Sequence, residues 1–280
     1  MTYSSFKKYI KRFKCVSSNP NLCLVVGITG GGTTLVSSLL DQNFFSDSVV
    51  HESQLKFSDD SNFKGKFPRL YKNFEDYRLE MINGYKNSNI KKFKQELLKI
   101  YKNHSAYKLK VNTIIDKSPS YHCYRIEYYL KTFKNINIIV IFRDPEENIE
   151  GMLRKWPLFK DAGLEVISKF WRDSFENLLS YENEFNPHRT VFIDLNDLKN
   201  SSDEIINKIE KIMNLKRRLK FKIYENKLNN KGKALRNVKD GIILIDKKKS
   251  LTNFTKHESK LIEDICGDTY KKLKKRKIKL

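Results

Sequence analysis

Apolar residues recur along this chain in two alternating rhythms. Short runs at Leu22–Gly27, Asp47–His51, Thr113–Asp116, Ile136–Phe142 and Thr190–Asp194 have the length and composition of strands, and the stretches between them carry apolar residues at helical spacing. Ile126, Tyr129, Leu130 and Phe133 follow the i, i+3, i+4, i+7 rule, and Ile149, Met152, Leu153 and Trp156 repeat it behind Pro145. Leu164, Ile167, Trp171 and Leu178 share one face over residues 163–180. Ile205, Ile209, Ile212 and Met213 mark another helix, opened by a capping box from Ser201 to Glu204, and a second box from Thr255 to Glu258 opens a last one through Leu261, Ile265 and Leu273. The aromatic and methionine stripes read as core. Alternation of this kind predicts an α/β fold in three layers, a central and mainly parallel sheet covered by helices. Residues 56–110 are polar and lysine-rich and read as two helices that pack loosely or cover a site. Residues 216–250 show no sustained period.

The segment Leu22–Leu40, LCLVVGITGGGTTLVSSLL, joins a buried strand to a helix through a glycine-rich turn. Gly27, Gly30, Gly31 and Gly32 remove side chains where the backbone folds tightly, so that amide N–H groups converge on an anion at the positive end of the helix. That is a P-loop-type phosphate cradle. A nucleotide-hydrolysing loop would place lysine and then serine or threonine after its last glycine, whereas here Gly32 is followed by Thr33 and Thr34. The lysine that grips the terminal phosphates of ATP is missing.

Composition narrows the picture without changing it. At 280 residues and 39% hydrophobic the chain suffices for one sizeable core, so we expect a single domain over 1–280, with its core in 22–215 and a basic helical extension over 216–280. No apolar run approaches the ~20 residues of a membrane helix, and no export signal is evident, which predicts a cytoplasmic protein. Four cysteines without paired spacing suggest neither a metal site nor a disulfide framework. The formal charge of +22 favours anionic ligands, although lysines on helix faces are commonly only solvated. The C-terminal KKLKKRKIKL suits a polyanion and leaves peripheral membrane contact open, but no recognisable nucleic-acid module precedes it.

Four blocks in order resemble the sulfotransferase family, which moves a sulfuryl group from 3'-phosphoadenosine 5'-phosphosulfate to an acceptor. They are GITGGGTTLVSSLLDQ, IIDKSPSY, INIIVIFRDPEENIEGMLRKW and VFIDLNDLKNSSDEIINKIEKIMNL, spanning about Leu22–Leu215, with a pattern most like the tyrosylprotein, Golgi and bacterial branches. The resemblance implies the following site. Gly30, Gly31, Gly32, Thr33 and Thr34 hold the 5'-phosphosulfate, and Arg143, leaving a buried strand, gives a planar fork to the 3'-phosphate. Ordinary helix capping by the threonines, and a salt bridge from Arg143 to Asp144, Glu146 or Glu147, are the plainer readings of the same residues. Glu52 matches the catalytic base, with His51 the neighbouring alternative, Asp116 a lesser one and Lys117 a contact to the sulfuryl group. The donor needs no metal, and the acceptor is a small molecule or glycan offering a hydroxyl, whether saccharide, lipid or small metabolite.

Two positions depart from the family. Gly30 stands where lysine or arginine is usual, and Gly151 stands where a serine serves the 3'-phosphate; Lys117, Lys231 or Lys233 would compensate. Gly30→Lys is accordingly expected to be tolerated. A non-catalytic nucleotide-binding member of the fold is the alternative from another class. A third reading takes Glu52, 20 residues after Gly32, as the ribose-binding acid of a dinucleotide site, but the G-x-G-x-x-G fingerprint is absent.

Overall fold

A computed structural model describes residues 15–40, 47–83, 89–104, 110–200, 202–214, 219, 222–225, 242–245 and 254–277. Five strands, β1 (Cys15–Val26), β2 (Asp47–His51), β3 (Lys110–Lys117), β4 (Ile136–Phe142) and β5 (Thr190–Asp194), form one sheet in the order β2-β3-β1-β4-β5, and every pairing is parallel. Each strand anticipated from the apolar runs is present. Parallel neighbours need crossovers of a dozen or more residues, which the helices supply. They are α1 (Thr33–Leu40), α2 (Phe74–Asn83), α3 (Ile90–His104), α4 (Tyr121–Thr132), α5 (Pro145–Lys155), α6 (Pro157–Ala162), α7 (Leu164–Ser180), α8 (Leu195–Asn200), α9 (Ser202–Met213) and, last, α10 (Lys256–Arg276).

The pleat of the central strand sorts these helices into two layers. Leu22, Leu24 and Val26 of β1 face one core with Met81, Leu97, Ile126, Ile149, Phe159, Trp171 and Ile262, drawn from α2 through α7 and α10. Cys23 and Val25 face the other, with Val36, Leu198 and Ile209 from α1, α8 and α9. Because successive side chains on a strand point to opposite faces, a sheet covered on both sides must be apolar at every position, and β4 is buried throughout.

Residues 56–110 do hold two helices, but these are not loosely packed. Phe63, Tyr77, Met81, Phe93, Leu97 and Tyr101 are all at most 1% exposed, and in the first core Phe63 meets Phe93 and Tyr128 edge to face while Phe57 stacks on Phe93. The lysines of α3, such as Lys91, Lys92, Lys99 and Lys102, lie on its exposed face. Residues 222–225 and 242–245, where no period was legible, pair as a small parallel sheet, β6 and β7. The capping box at Thr255 and Glu258 opens α10, which seats Ile262, Cys266 and Leu273 in the body. Ser201 of the other expected box lies outside the described residues. No helix among the described residues is long and apolar enough to cross a membrane.

One polar cluster lies inside this apolar frame. Asp116, the penultimate residue of β3, is fully buried and accepts hydrogen bonds from the hydroxyls of Tyr101 (2.8 Å) and Tyr129 (3.2 Å), with His122 Nε2 3.5 Å away. Desolvation, reinforced by the carboxylate, raises both phenols far above their ordinary range, so they remain donors. Removing one donor leaves a buried carboxylate short of a partner. Tyr101→Phe is expected to lower stability by about 1.5–3 kcal/mol, read as a lower urea midpoint at unchanged slope.

Candidate functional site

The C-terminal ends of β1, β2, β3 and β4 lie side by side, and each contributes one part of the site. After β1 the chain turns through Gly27–Gly32 into α1. Ser120 N donates to the Gly27 carbonyl (2.8 Å), Thr29 N donates to Ser120 Oγ (3.3 Å), and Gly31 N closes the turn on the Ile28 carbonyl (3.0 Å). The turn runs against β4 so closely that a Cβ on Gly27 would lie 2.4 Å from the Ile141 carbonyl oxygen. At its far end the first amides of α1 have no intrahelical acceptor, which leaves them for an anion. Thr34 is exposed there, whereas Thr33 is buried with its methyl toward Gly27. Of the two expected hydroxyl donors, the exposed one is Thr34.

Lys117 ends β3 between Val25 of β1 and His51 of β2. It is 3% exposed, and its Nζ donates to Glu52 Oε1 at 2.7 Å while Gln54 Nε2 donates to Oε2 at 3.1 Å. Glu52 N donates back to the Lys117 carbonyl (2.5 Å). Both oxygens of the carboxylate are therefore fixed. A buried ion pair needs such additional hydrogen bonds to offset desolvation.

The backbone on either side of this pair is strained. Glu52 has φ 59° and Ser120 φ 64°, two of only three non-glycine residues in the left-handed region among those described. Such conformations cost about 1–3 kcal/mol each and concentrate at functional positions. The strain aims the Glu52 carboxylate at Lys117 and the Ser120 hydroxyl at the glycine turn. Tyr77, fully buried with its hydroxyl pushed well up by desolvation, lies beside Ser120 and Thr29 in the helical layer.

Arg143 follows β4 directly. Asp144 caps α5 by accepting from Glu147 N (3.3 Å), and Pro145 takes the first helical position. Burial raises the Asp144 carboxyl. Arg143 Nε donates to Glu147 Oε2 at 2.7 Å, which is the salt bridge that the plainer reading foresaw. This engages the guanidinium on one edge; its two terminal nitrogens have no partner among the described residues. Gly151 lies two turns on, and a Cβ there would meet nothing within 4 Å, so the flank of α5 beyond Arg143 is open. Arg143 is two residues from Ile141 and five from Asn148, both of which touch the glycine turn, and two extended residues span at most about 7 Å.

Several expected members stand elsewhere. Asp116 is sealed beneath the site and saturated with donors, so it has no access to a substrate proton. Of His51 only the backbone is described, and Lys231 and Lys233 lie outside the described residues. No group of three or more potential metal ligands is present among the described residues.

Two residues at the site escaped the sequence reading. Gln54 is buried against Glu52, and Asn148 is fully buried with Nδ2 donating to the Thr29 carbonyl (3.0 Å). The legible sign of Asn148 was a polar side chain one turn before Met152, on the apolar stripe of its helix. Gly30 has φ 82°, and a Cβ on it would sit 3.0 Å from Asn148 Nδ2. This overturns the expectation that lysine is tolerated there. Gly30→Ala and Gly30→Lys are both expected to lose about 1–2 kcal/mol in chemical denaturation, because either forces a side chain onto a left-handed backbone.

Comparison with known proteins follows the same outline. A family model described as the sulfotransferase family matches residues 23–218. No curated protein matches this chain. Among solved structures, the sulfotransferase domain from the curacin biosynthetic pathway is similar at 19% identity, covering 72% of this chain and 76% of that one with a TM-score of 0.46. Sulfotransferase STF9 from Mycobacterium avium is similar at 13% identity, 75% and 68% coverage and a TM-score of 0.48. Mouse sulfotransferase SULT7A1 complexed with PAP is similar at 13% identity, 98% and 94% coverage and a TM-score of 0.43. With the family model spanning the sheet, the glycine turn and the Arg143 helix together, the chain belongs to the sulfotransferase family.

Proposed function

We propose that this protein transfers the sulfuryl group of 3'-phosphoadenosine 5'-phosphosulfate to a hydroxyl of a small-molecule or glycan acceptor. The observation that carries the reading is the juxtaposition of two anion-binding elements on one sheet edge. The glycine turn leaves β1 and Arg143 leaves β4, and these strands are neighbours. A nucleotide phosphorylated at both ends requires such a pair, and the two terminal nitrogens of Arg143, unpartnered among the described residues, are left for the second phosphate.

In the proposed chemistry the acceptor oxygen attacks sulfur, the bond from sulfur to the bridging phosphate oxygen breaks, and the acceptor proton passes to Glu52. The desulfated nucleotide leaves with the electron pair of that bond. Developing charge on a leaving oxygen calls for a nearby cation or amide donors. Position 30 supplies no cation, so the role falls to the loop amides, Thr34 and Lys117. Lys117 also holds Glu52 in place until the acceptor arrives. No metal is required in this scheme.

A second reading, binding without turnover, is favoured by one feature, the glycine at position 30, which brings no cation to the leaving oxygens. Calorimetry with adenosine 3',5'-bisphosphate and transfer of labelled sulfuryl to a panel of hydroxyl acceptors separate the two. Binding without transfer, unaffected by Glu52→Gln, supports the second, and absence of both overturns each. Under the first reading Arg143→Ala weakens the bisphosphate by about 10- to 100-fold, the equivalent of one or two lost charge-assisted bonds, while the far-ultraviolet dichroism is unchanged. Unchanged affinity would remove Arg143 from the site. Glu52→Gln is expected to lower kcat by about 100-fold or more with nucleotide affinity held within about threefold. Equal turnover in the variant would eliminate Glu52 as the base.

A further inference from the structure

We propose that Asn148, steadied by Trp171, is a positioning residue that fixes the orientation of the Thr29–Gly30 peptide and so aims the Gly30 amide at the bound anion. The inference rests on the reading of the site as one for a doubly phosphorylated nucleotide. Asn148 is fully buried on α5, five residues beyond Arg143. Its Nδ2 donates to the Thr29 carbonyl at 3.0 Å, its Oδ1 accepts from Trp171 Nε1 at 3.3 Å, and its backbone N donates to the Asp144 carbonyl at 2.9 Å. The amide has only one consistent orientation, since the indole N–H is purely a donor and the Thr29 carbonyl purely an acceptor.

A trans peptide carries its C=O and N–H on opposite sides of one plane. Holding the Thr29 oxygen against α5 therefore turns the Gly30 N–H the other way, out of the protein, where Gly30 is exposed. If that peptide flipped, a carbonyl oxygen would face the anion in place of a donor. Preorganised amides act only when they already point at the developing charge. The absence of a side chain at Gly30 is what admits Asn148, whose Nδ2 lies 3.0 Å from where a Cβ would stand. The position that lost a cation thus gained a buried clamp on the amide beside it. Because the clamp is on the helix that follows Arg143, it also ties the glycine turn to the 3'-phosphate side.

The test uses the full chain and two probes, adenosine 3',5'-bisphosphate and adenosine 3'-monophosphate, each measured by calorimetry. Asn148→Leu keeps the bulk and removes both hydrogen bonds. It is expected to weaken the bisphosphate about tenfold or more while the 3'-monophosphate, which does not engage the glycine turn, stays within about threefold. Trp171→Phe keeps an aromatic ring in the core and frees Asn148 Oδ1, with an expected loss of about three- to tenfold for the bisphosphate alone. Should Asn148→Leu fail to fold, the tryptophan variant decides on the same two probes. Equal losses for both probes in a folded variant would assign Asn148 to packing and overturn the inference. So would bisphosphate affinity unchanged within twofold. A wild-type protein that binds neither probe removes the nucleotide reading itself, whereas wild-type binding with unaltered variants removes only the role of Asn148.

Discussion

The site depends on one close approach, that of the glycine turn after β1 to the end of β4. With a Cβ on Gly27 the turn would meet the Ile141 carbonyl at 2.4 Å, so the two backbones lie as near as their atoms allow. From that contact the rest follows in space. The turn can be bonded from one side by Ser120 of the β3–α4 connection and from the other by Asn148 of α5, and Tyr77 closes it from above the sheet. The glycine turn proposed to bind phosphate is thereby braced by neighbours that are themselves buried. Rigidity has a chemical purpose here, because amides that must reorganise to meet a charge stabilise it less than amides already in place.

The strain distribution supports the same view. Left-handed backbone at Glu52 and Ser120 brackets Lys117, and both residues direct their side chains to the site rather than to solvent or core. The cost is met by the surrounding structure. Gln54, Ser53 and Ser118 are buried, and the Ser53 and Ser118 hydroxyls lie 3.1 Å apart, which pins the loops after β2 and β3 to each other. Beneath them Asp116 ties α3 and α4 to β3 through two tyrosines. The polar network and the candidate catalytic pair are consecutive layers of one strand end, Asp116 inward and Lys117 toward Glu52.

Sequence alone made the sheet legible because both of its faces are covered, so its central strands carry concentrated apolar stretches such as Leu22–Val26 and Ile138–Phe142. The glycine turn and Arg143 were legible because they carry chemistry at strand ends, where irregular residue types stand out against Val, Ile and Phe. The packing of residues 56–104 was not. Its aromatic residues are spread among lysines, and only the fold shows that Phe93 and Tyr101 turn inward from α3 while Lys91, Lys92, Lys99 and Lys102 turn outward. Asp116 stood as a lesser candidate base; burial and two phenol donors make it structural. Gly30 looked replaceable because it stands where the family usually carries lysine or arginine. The space beside it is filled by Asn148 from 118 residues further along the chain, a relation that no local pattern encodes.

That last relation bears on how a phosphate turn can lose a charged side chain and keep its geometry. A lysine on the turn would neutralise charge directly but would tolerate little backbone crowding on its own side. A glycine at φ 82° permits the opposite arrangement, in which a neutral amide from a neighbouring helix is buried against the turn and holds a peptide plane. The positive charge of Lys117 stands instead at the next strand end, where Glu52 holds it. Cation and amide donors are thereby separated onto different elements, each with its own buried support. The indole of Trp171, which reads from sequence as core alone, serves both purposes, filling the space under α7 and supplying the one hydrogen bond that orients Asn148.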